Sequence, residues 1–308
     1  FVVADDGVHA IHYYAVDIAC NQEIVQAVAT PLKIDKTAPS TSYQVEGQRG
    51  DGVWFLATPV TVTLSPSDVI TGVQTSGVDN LRYRVDGGSW QQRSGTATFT
   101  LVSEGAHTIE YYATDLAGNV EPTRVLTVGI DFHAPPAIPY VPIVSPNSWT
   151  KNNCFTITWD ANPADLSGIG GAYYNFTEPI SSTDGTLVRG DNITSIPCVQ
   201  VPDELGDGAH TVYIWLRDKA GNSDHRTRRE PMVRLDRTPP IVVSRVTGNE
   251  CGTAGWYNSC ITVTFVATDN VPSGMVGGVI SYHVLGGGGW IAGGSYSECR
   301  DGRYTVEY

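Results

Sequence analysis

Short runs in which threonine and apolar residues alternate recur along the chain. They read Thr61-Val62-Thr63-Leu64, Thr156-Ile157-Thr158-Trp159 and Thr262-Val263-Thr264-Phe265. A period of two places the apolar side chains on one face of a strand and the threonines on the other. No window shows the sustained period of 3.6 that an amphipathic helix requires. The pattern therefore predicts half-buried β-strands and an all-β chain.

A longer phrase is repeated four times. It reads DGVHAIHYYAVDIACN at 6–21, EGAHTIEYYATDLAGN at 104–119, DGAHTVYIWLRDKAGN at 207–222 and DGRYTVEY at 301–308. In each of the first three copies an alternating strand runs into an Asp-containing turn. The Gly-Asn pair of the second and third copies supplies the positive φ that a tight reversal needs. Each copy therefore predicts the start of a hairpin.

The hairpins end in a third repeated phrase with the pattern Asp-x-x-x-Pro. It reads IDKTAPS at 34–40, IDFHAPP at 130–136 and LDRTPP at 235–240. Proline cannot donate to a strand ladder, so we expect each domain to stop at this linker. The repeat spacing of about 100 residues is what a seven-stranded sandwich requires. The fold class expected is all-β, with tandem immunoglobulin-like β-sandwich domains.

These boundaries divide the 308 residues into four parts. We expect a leading segment that is the C-terminal hairpin of one unit, a first domain, a second domain and an incomplete trailing domain. Their ranges are 1–38, 39–135, 136–240 and 241–308. Both ends fall inside a repeat, so we also expect the chain to be part of a longer polypeptide or one subunit of an array.

The repeated phrases resemble the bacterial Ig-like repeats of large surface adhesins and extracellular enzymes. The likeness covers the whole chain, but Cys20 replaces the turn glycine of the phrase and the last copy is incomplete. The resemblance implies an extracellular or cell-surface structural or adhesive protein, forming a stalk, surface fibre or filament by head-to-tail arrangement of modules. The alternative it implies is a carbohydrate-binding or spacer region of a large secreted enzyme.

Composition narrows the classes of partner. Lys and Arg number 19 against 32 Asp and Glu, a formal net charge of −13. This charge repels phosphate backbones and anionic lipid, and no apolar stretch has the length of a membrane span. We therefore expect no nucleic-acid partner and no membrane insertion. Catalytic and nucleotide-binding motifs are absent, so we expect no enzymatic activity.

Six cysteines without zinc-like spacing predict structural disulfides and an oxidising compartment. Cys154 and Cys260 occupy the same place between an aromatic segment and the alternating strand of their repeats. Cys198 and Cys299 both lie shortly before an Asp-Gly phrase. This equivalence favours Cys154–Cys198 and Cys260–Cys299. A local Cys251–Cys260 bridge, which would free Cys299, stays open as the alternative. Either pairing leaves Cys20 together with Cys251 or Cys299.

The unpaired cysteines suggest a link between subunits. Cys20 and Cys251 are the intersubunit candidates, because they lie at opposite ends of the chain. A neighbouring copy could complete the trailing domain by adding the leading hairpin as strands, and such a contact propagates into a fibre. The expected partners are therefore further copies end to end, or neighbouring modules of the same chain.

Three sets of repeated residues invite a chemical role. His9, His107 and His210 occupy one repeat position, so we interpret them as strand residues. The turn residues can cap backbone groups or bind calcium through their oxygens, and the linker aspartates can bind calcium between modules. Trp90 and Trp290 follow glycine runs and could bind a glycan or another surface ligand, or plug a core. The turn candidates for calcium are Asp115, Asn119, Asp218 and Asn222, and the linker candidates are Asp35, Asp131 and Asp236.

Overall fold

The computed structural model describes residues 1–250, 255–269 and 280–308. The leading segment is a long, narrow hairpin in which the two outer strands pair with each other and the two inner strands do the same. All pairs are antiparallel. Its strands are β1 (Gly7–His9), β2 (His12–Tyr13), β3 (Gln26–Ala27) and β4 (Leu32–Ile34).

The first domain folds as two sheets. One contains three strands in the order β10-β7-β5, and the other contains five in the order β6-β12-β11-β8-β9. All neighbours are antiparallel except the short β6, which runs parallel to β12 and adds an edge strand. The strands are β5 (Ser40–Glu46), β6 (Trp54–Phe55), β7 (Val60–Ser67), β8 (Val78–Val85), β9 (Gln91–Arg93), β10 (Ala97–Leu101), β11 (Gly105–Asp115) and β12 (Arg124–Ile130).

The core of the first domain lies between these two sheets. Val60, Val62 and Leu64 of β7 are fully buried, whereas the intervening threonines are half-buried. The strand β11 supplies Ile109 and Tyr111 to the same cluster. The alternation read from the sequence therefore places the apolar residues in the interior and the threonines toward the surface, as expected for a sandwich.

The second domain repeats this plan with shorter ladders. Its sheets have the orders β13-β14-β17, β16-β15-β19 and β18-β20, and its core contains Phe155, Ile157 and Leu216. Two short 3-10 helices cover Asp203–Leu205 and His225–Thr227. The strands are β13 (Ile143–Ser145), β14 (Phe155–Thr158), β15 (Ile169–Asn175), β16 (Thr186–Arg189), β17 (Ser195–Val199), β18 (Gly208–Thr211), β19 (Tyr213–Asp218) and β20 (Met232–Leu235).

The trailing domain has two three-stranded sheets, ordered β21-β22-β25 and β24-β23-β26. Its buried cluster is small and centres on Val263, Phe265 and Tyr282. The strands are β21 (Ile241–Thr247), β22 (Ile261–Thr268), β23 (Ser281–Val284), β24 (Ile291–Ala292), β25 (Ser295–Glu298) and β26 (Val306–Glu307). The fold class is thus all-β, with tandem immunoglobulin-like β-sandwich domains, as the sequence predicts.

Two disulfides lie in the second and trailing domains. They join Cys154 to Cys198 and Cys260 to Cys299. The alternative bridge between Cys251 and Cys260 is wrong, because Cys260 is bonded to Cys299. Cys20 is exposed and unbonded, while Cys251 lies outside the described residues. No helix within the described residues is long and apolar enough to cross a membrane.

Candidate functional site at the domain junctions

The linker aspartates adopt one local conformation at all three junctions. In each, a carboxylate oxygen accepts the backbone N–H two residues further on, which is an Asx turn. The bonds are Thr37 N to Asp35 Oδ1 at 3.2 Å, His133 N to Asp131 Oδ1 at 3.2 Å and Thr238 N to Asp236 Oδ1 at 3.1 Å. Each aspartate therefore fixes the chain direction just before the proline.

Each linker is also held by the unit that precedes it. At the third junction Asp207 accepts from the Arg237 N–H at 2.9 Å and from the Thr238 hydroxyl at 2.7 Å. The Arg237 guanidinium and these donors lower the pKa of Asp207 to about 2. The equivalent bonds at the other junctions join Lys36 N to Asp6 at 3.1 Å and Phe132 N to Glu104 at 2.9 Å. The acidic residue that opens each of the first three copies of the repeated phrase is thus an anchor for the linker.

The unit that follows holds the same linker from the other side. At the first junction, the Ser76 N–H donates to Asp35 Oδ2 at 2.6 Å, and Asn119 Nδ2 donates to the Asp35 carbonyl at 3.1 Å. The second junction repeats both bonds, from Ser167 N to Asp131 Oδ2 at 3.1 Å and from Asn222 Nδ2 to the Asp131 carbonyl at 2.9 Å. Linkers fixed at both ends restrict bending between domains.

The turn asparagines reach the linker because their aspartates position them. Asn119 donates its backbone N–H to Asp115 Oδ1 at 2.8 Å and its Nδ2 to Asp115 Oδ2 at 2.7 Å. The same two bonds join Asn222 to Asp218, and Asn21 to Asp17 in the leading hairpin. Turn capping, one of the two roles considered for these residues, is therefore present in all three copies.

Two clusters of three carboxylates form at the first two junctions. The members are Asp35, Asp68 and Asp115 in one cluster, and Asp131, Asp165 and Asp218 in the other, and in each the facing atoms lie within 4.8 Å of one another. The sequence identifies the linker aspartates and the turn aspartates as two separate sets of calcium candidates. The fold places one linker aspartate and one turn aspartate in each cluster. The sequence does not single out Asp68 and Asp165, although they lie four and six residues after the alternating runs 61–64 and 156–159.

Burial makes the negative charges of the second cluster energetically costly when no cation is bound between them. Asp218 is 0% and Asp131 1% exposed. Burial raises the pKa of Asp218 to about 6 and also raises the pKa of Asp165, with the charge of Asp131 adding to both effects. Buried carboxylates of like charge require a proton or a cation between them. An all-oxygen set of this kind suits a hard cation such as Ca²⁺, so the residues fit the metal that the sequence suggests.

The first and second domains also touch beside the second cluster. Arg217 Nη2 lies 2.7 Å from Asp51 Oδ2, and Arg189 Nη1 lies 3.2 Å from the same oxygen. The Asp51 N–H donates to the Ala220 carbonyl at 2.8 Å. A Cβ on Gly50 would lie 2.4 Å from that carbonyl, so only glycine permits this approach. We refer to this contact as the lateral latch.

The repeated histidines hold their own loops. The ring Nε2 of each donates to the carbonyl four residues earlier, from His9 to Asp5, His107 to Ser103 and His210 to Gly206, at 2.8, 2.9 and 3.0 Å. They lie in β1, β11 and β18 respectively. This shared bond explains why the residue recurs in each module without invoking catalysis.

The two tryptophans remain at the surface. Trp90 is 39% exposed and packs edge-on against Tyr112, with the Arg84 guanidinium over its ring. Trp290 is 61% exposed and lies beside His283. Neither side chain is a core plug, so both stay available for contact with another molecule.

Comparisons with known proteins give only distant likenesses. No protein-family model matches the chain, and no curated protein matches it. Among solved structures, it is similar to the fibronectin(III)-like modules of Clostridium thermocellum CbhA, with a TM-score of 0.32 and 14% identity over 63% of this chain and 93% of that one. Chicken CNTN1 domains FN1–FN3 match with a TM-score of 0.32 and 12% identity over 73% of this chain and 77% of that one.

Proposed function

We propose that this chain is a non-enzymatic extracellular spacer, in which Ig-like modules are held end to end by structured junctions in a bacterial surface stalk or fibre. One observation carries this proposal. Each linker is hydrogen-bonded by the preceding unit, and at the first two junctions the following unit binds it in a repeated pattern. A junction that is fixed on both sides transmits direction from one module to the next.

Calcium is proposed as the ion that completes the first two junctions. The support is the recurrence of the carboxylate triad with the linker aspartate contributing from one unit and two aspartates from the next. A cation held by oxygens from both units would stabilise the extended arrangement and offset the repulsion among the buried carboxylates. Asp35 and Asp131 would then act as ligands and as linker caps at once.

Small-angle X-ray scattering of the intact chain in Ca²⁺ and in chelator tests both parts of the proposal. We expect a longer maximum dimension and less flexibility with Ca²⁺, and a smaller response in Asp68→Asn and Asp165→Asn, which remove one carboxylate from each triad. The matched control is Asp160→Asn, an exposed aspartate outside both triads. If the chain is extended and stiff both with Ca²⁺ and with chelator, the calcium proposal is contradicted and the spacer proposal stands. A chain that is flexible in both solutions would overturn the spacer.

Extracellular location is supported by two disulfides, which form and persist in oxidising compartments. Two arrangements fit the spacer. Modules can continue along one polypeptide, or copies can join end to end through the exposed Cys20 and a strand exchange involving the leading hairpin. Cys299 is already bonded to Cys260, so it is no longer a partner for Cys20. Intact mass with and without reductant separates the two arrangements.

A further inference from the structure

An open groove crosses the outer face of the five-stranded sheet in the first domain. Its volume is about 500 Å³, and it lies on the neighbouring strands β8 and β11 and on the segment that follows β11, and its lining includes no member of either triad or of the lateral latch. The lining residues are Asn80, Arg82, Tyr112, Thr114, Val120 and Thr123. Arg82 pairs directly across the ladder with Tyr112, and Asn80 with Thr114. The groove is therefore built from adjacent cross-strand pairs on one rigid face.

Asn80 leaves a hydrogen-bond acceptor unused in the groove wall. The residue is 9% exposed, and its Nδ2 donates to Asp79 Oδ2 at 2.6 Å, which fixes the orientation of the amide. Its Oδ1 is buried and has no donor among the described residues. A buried acceptor without a partner destabilises the structure until a donor is supplied. Because Asn80 lines the groove, a ligand hydroxyl is the candidate for the missing donor.

The other lining groups have matching capacity. Arg82 makes no ion pair within the part of the chain that the structure describes, so its guanidinium donors are available. Tyr112 supplies an aromatic surface and Trp90 extends it with a ring centroid 5.2 Å away. Thr114 and Thr123 add hydroxyls to the lining. Aromatic surface, amide, guanidinium and hydroxyl groups on one open face suit a ligand that is rich in hydroxyls and has apolar C–H faces.

The second domain shows what covers the equivalent surface. Trp215 lies three residues before Asp218, as Tyr112 lies three before Asp115, yet Trp215 is fully buried. Its Nε1 and the Ser223 hydroxyl both donate to the Ser182 carbonyl, at 2.9 and 3.0 Å. The domain thus covers this face with its own segment at 180–185. The first domain has no such cover over its groove among the described residues.

We infer that the groove of the first domain is an oligosaccharide-binding site, with Tyr112 as the stacking surface and Asn80 and Arg82 as hydrogen-bonding groups. An extended peptide is the less favoured occupant. The strands β8 and β11 are paired on both sides, so they offer no free backbone ladder for strand addition. The inference stands apart from the spacer role, because the groove does not include the linkers.

Binding of the intact chain to an immobilised oligosaccharide panel, with neutral and uronic-acid-containing members, tests the site. We expect at least one glycan to bind saturably, and Tyr112→Ala, Arg82→Ala and Asn80→Ala each to weaken it about tenfold, equivalent to about 1.4 kcal/mol. Trp256→Ala, an exposed aromatic outside the groove, is the matched control and should leave affinity unchanged. Thermal unfolding of each variant identifies any loss of fold.

Two results would overturn the inference. The first is the absence of binding to every glycan on the panel. The second is glycan binding that survives Tyr112→Ala and Arg82→Ala in folded protein, since the sugar would then lie elsewhere. If no glycan binds but a synthetic peptide with the sequence of residues 180–185, ISSTDG, does bind in the groove, the occupant is a peptide. Either a neutral or an acidic sugar that binds at the groove residues would support the inference.

Discussion

His107 is held by hydrogen bonds at both ring nitrogens. Nε2 lies 2.9 Å from the Ser103 carbonyl and Nδ1 lies 2.8 Å from Asp86 Oδ2. Both partners accept, so both bonds form only when the ring carries a proton on each nitrogen. Burial lowers the pKa of His107, but the two bonds outweigh it and raise the pKa above 6.5.

This raised pKa predicts a pH dependence of stability. A group whose pKa is higher in the folded state stabilises fully below its unfolded pKa of about 6.5, and the stabilisation is lost as pH rises through the folded value. We expect an NMR titration midpoint for His107 above 6.5, and a destabilisation by His107→Gln that is larger at pH 5.5 than at pH 8.5. His210→Gln is the control, because the histidine there bonds a carbonyl and no carboxylate among the described residues. A His107 midpoint below 6.5 would contradict the prediction.

Among the elements, the alternating strands could be predicted from sequence because period two is a local property. The residues 60–64 alternate between fully buried and half-buried as expected. The edge strand β6 could not be predicted in this way, since its pairing with β12 depends on a contact between distant residues. Gly129 permits that contact, and its meaning is visible only in the fold.

Substitution of Gly129 should break this strand pair. A Cβ there would lie 2.5 to 2.9 Å from three ring atoms of Trp54, and an indole ring cannot yield as a flexible chain end would. We expect Gly129→Ala to destabilise the first domain by about 1–3 kcal/mol, the usual cost of overpacking. The measurement is chemical unfolding followed by Trp fluorescence. Gly95→Ala, where a Cβ meets nothing within 4 Å, should be nearly neutral, and equal effects of the two changes would refute the packing argument.

For the molecule as a whole, the sequence predicts the components of the junctions but not their assembly. Asp35 and Asp131 stand out because the linker phrase repeats, and Asp115 and Asp218 because the turn phrase repeats. That each pair converges, with Asp68 or Asp165 as the third member, depends on how one unit is placed on the next. Local periodicity carries no information about that placement.

The lateral latch also could not be predicted from local sequence patterns. Asp51 and Arg217 belong to different domains, and neither residue type recurs at the matching position of the other repeats. It offers a separate means of fixing the second junction. Arg217 has a side chain only 9% exposed and also donates to the Asp218 carbonyl at 3.3 Å, so the latch and the second triad share neighbouring residues. A partly exposed ion pair of this kind contributes on the order of 1 kcal/mol.

Loss of the latch should loosen the junction without unfolding either domain. We expect Asp51→Ala and Gly50→Ala to broaden the conformations seen by small-angle scattering of the intact chain, since the first removes the carboxylate and the second prevents the approach to Ala220. The broadening should be greater in chelator than in Ca²⁺, because in chelator the proposed ion no longer holds the junction. Asp160→Ala serves as the exposed control. The two variants act on one contact by different means, so similar broadening in both would identify the latch as the cause. Unchanged scattering of both variants in chelator would instead show that the linker bonds alone fix the second domain on the first.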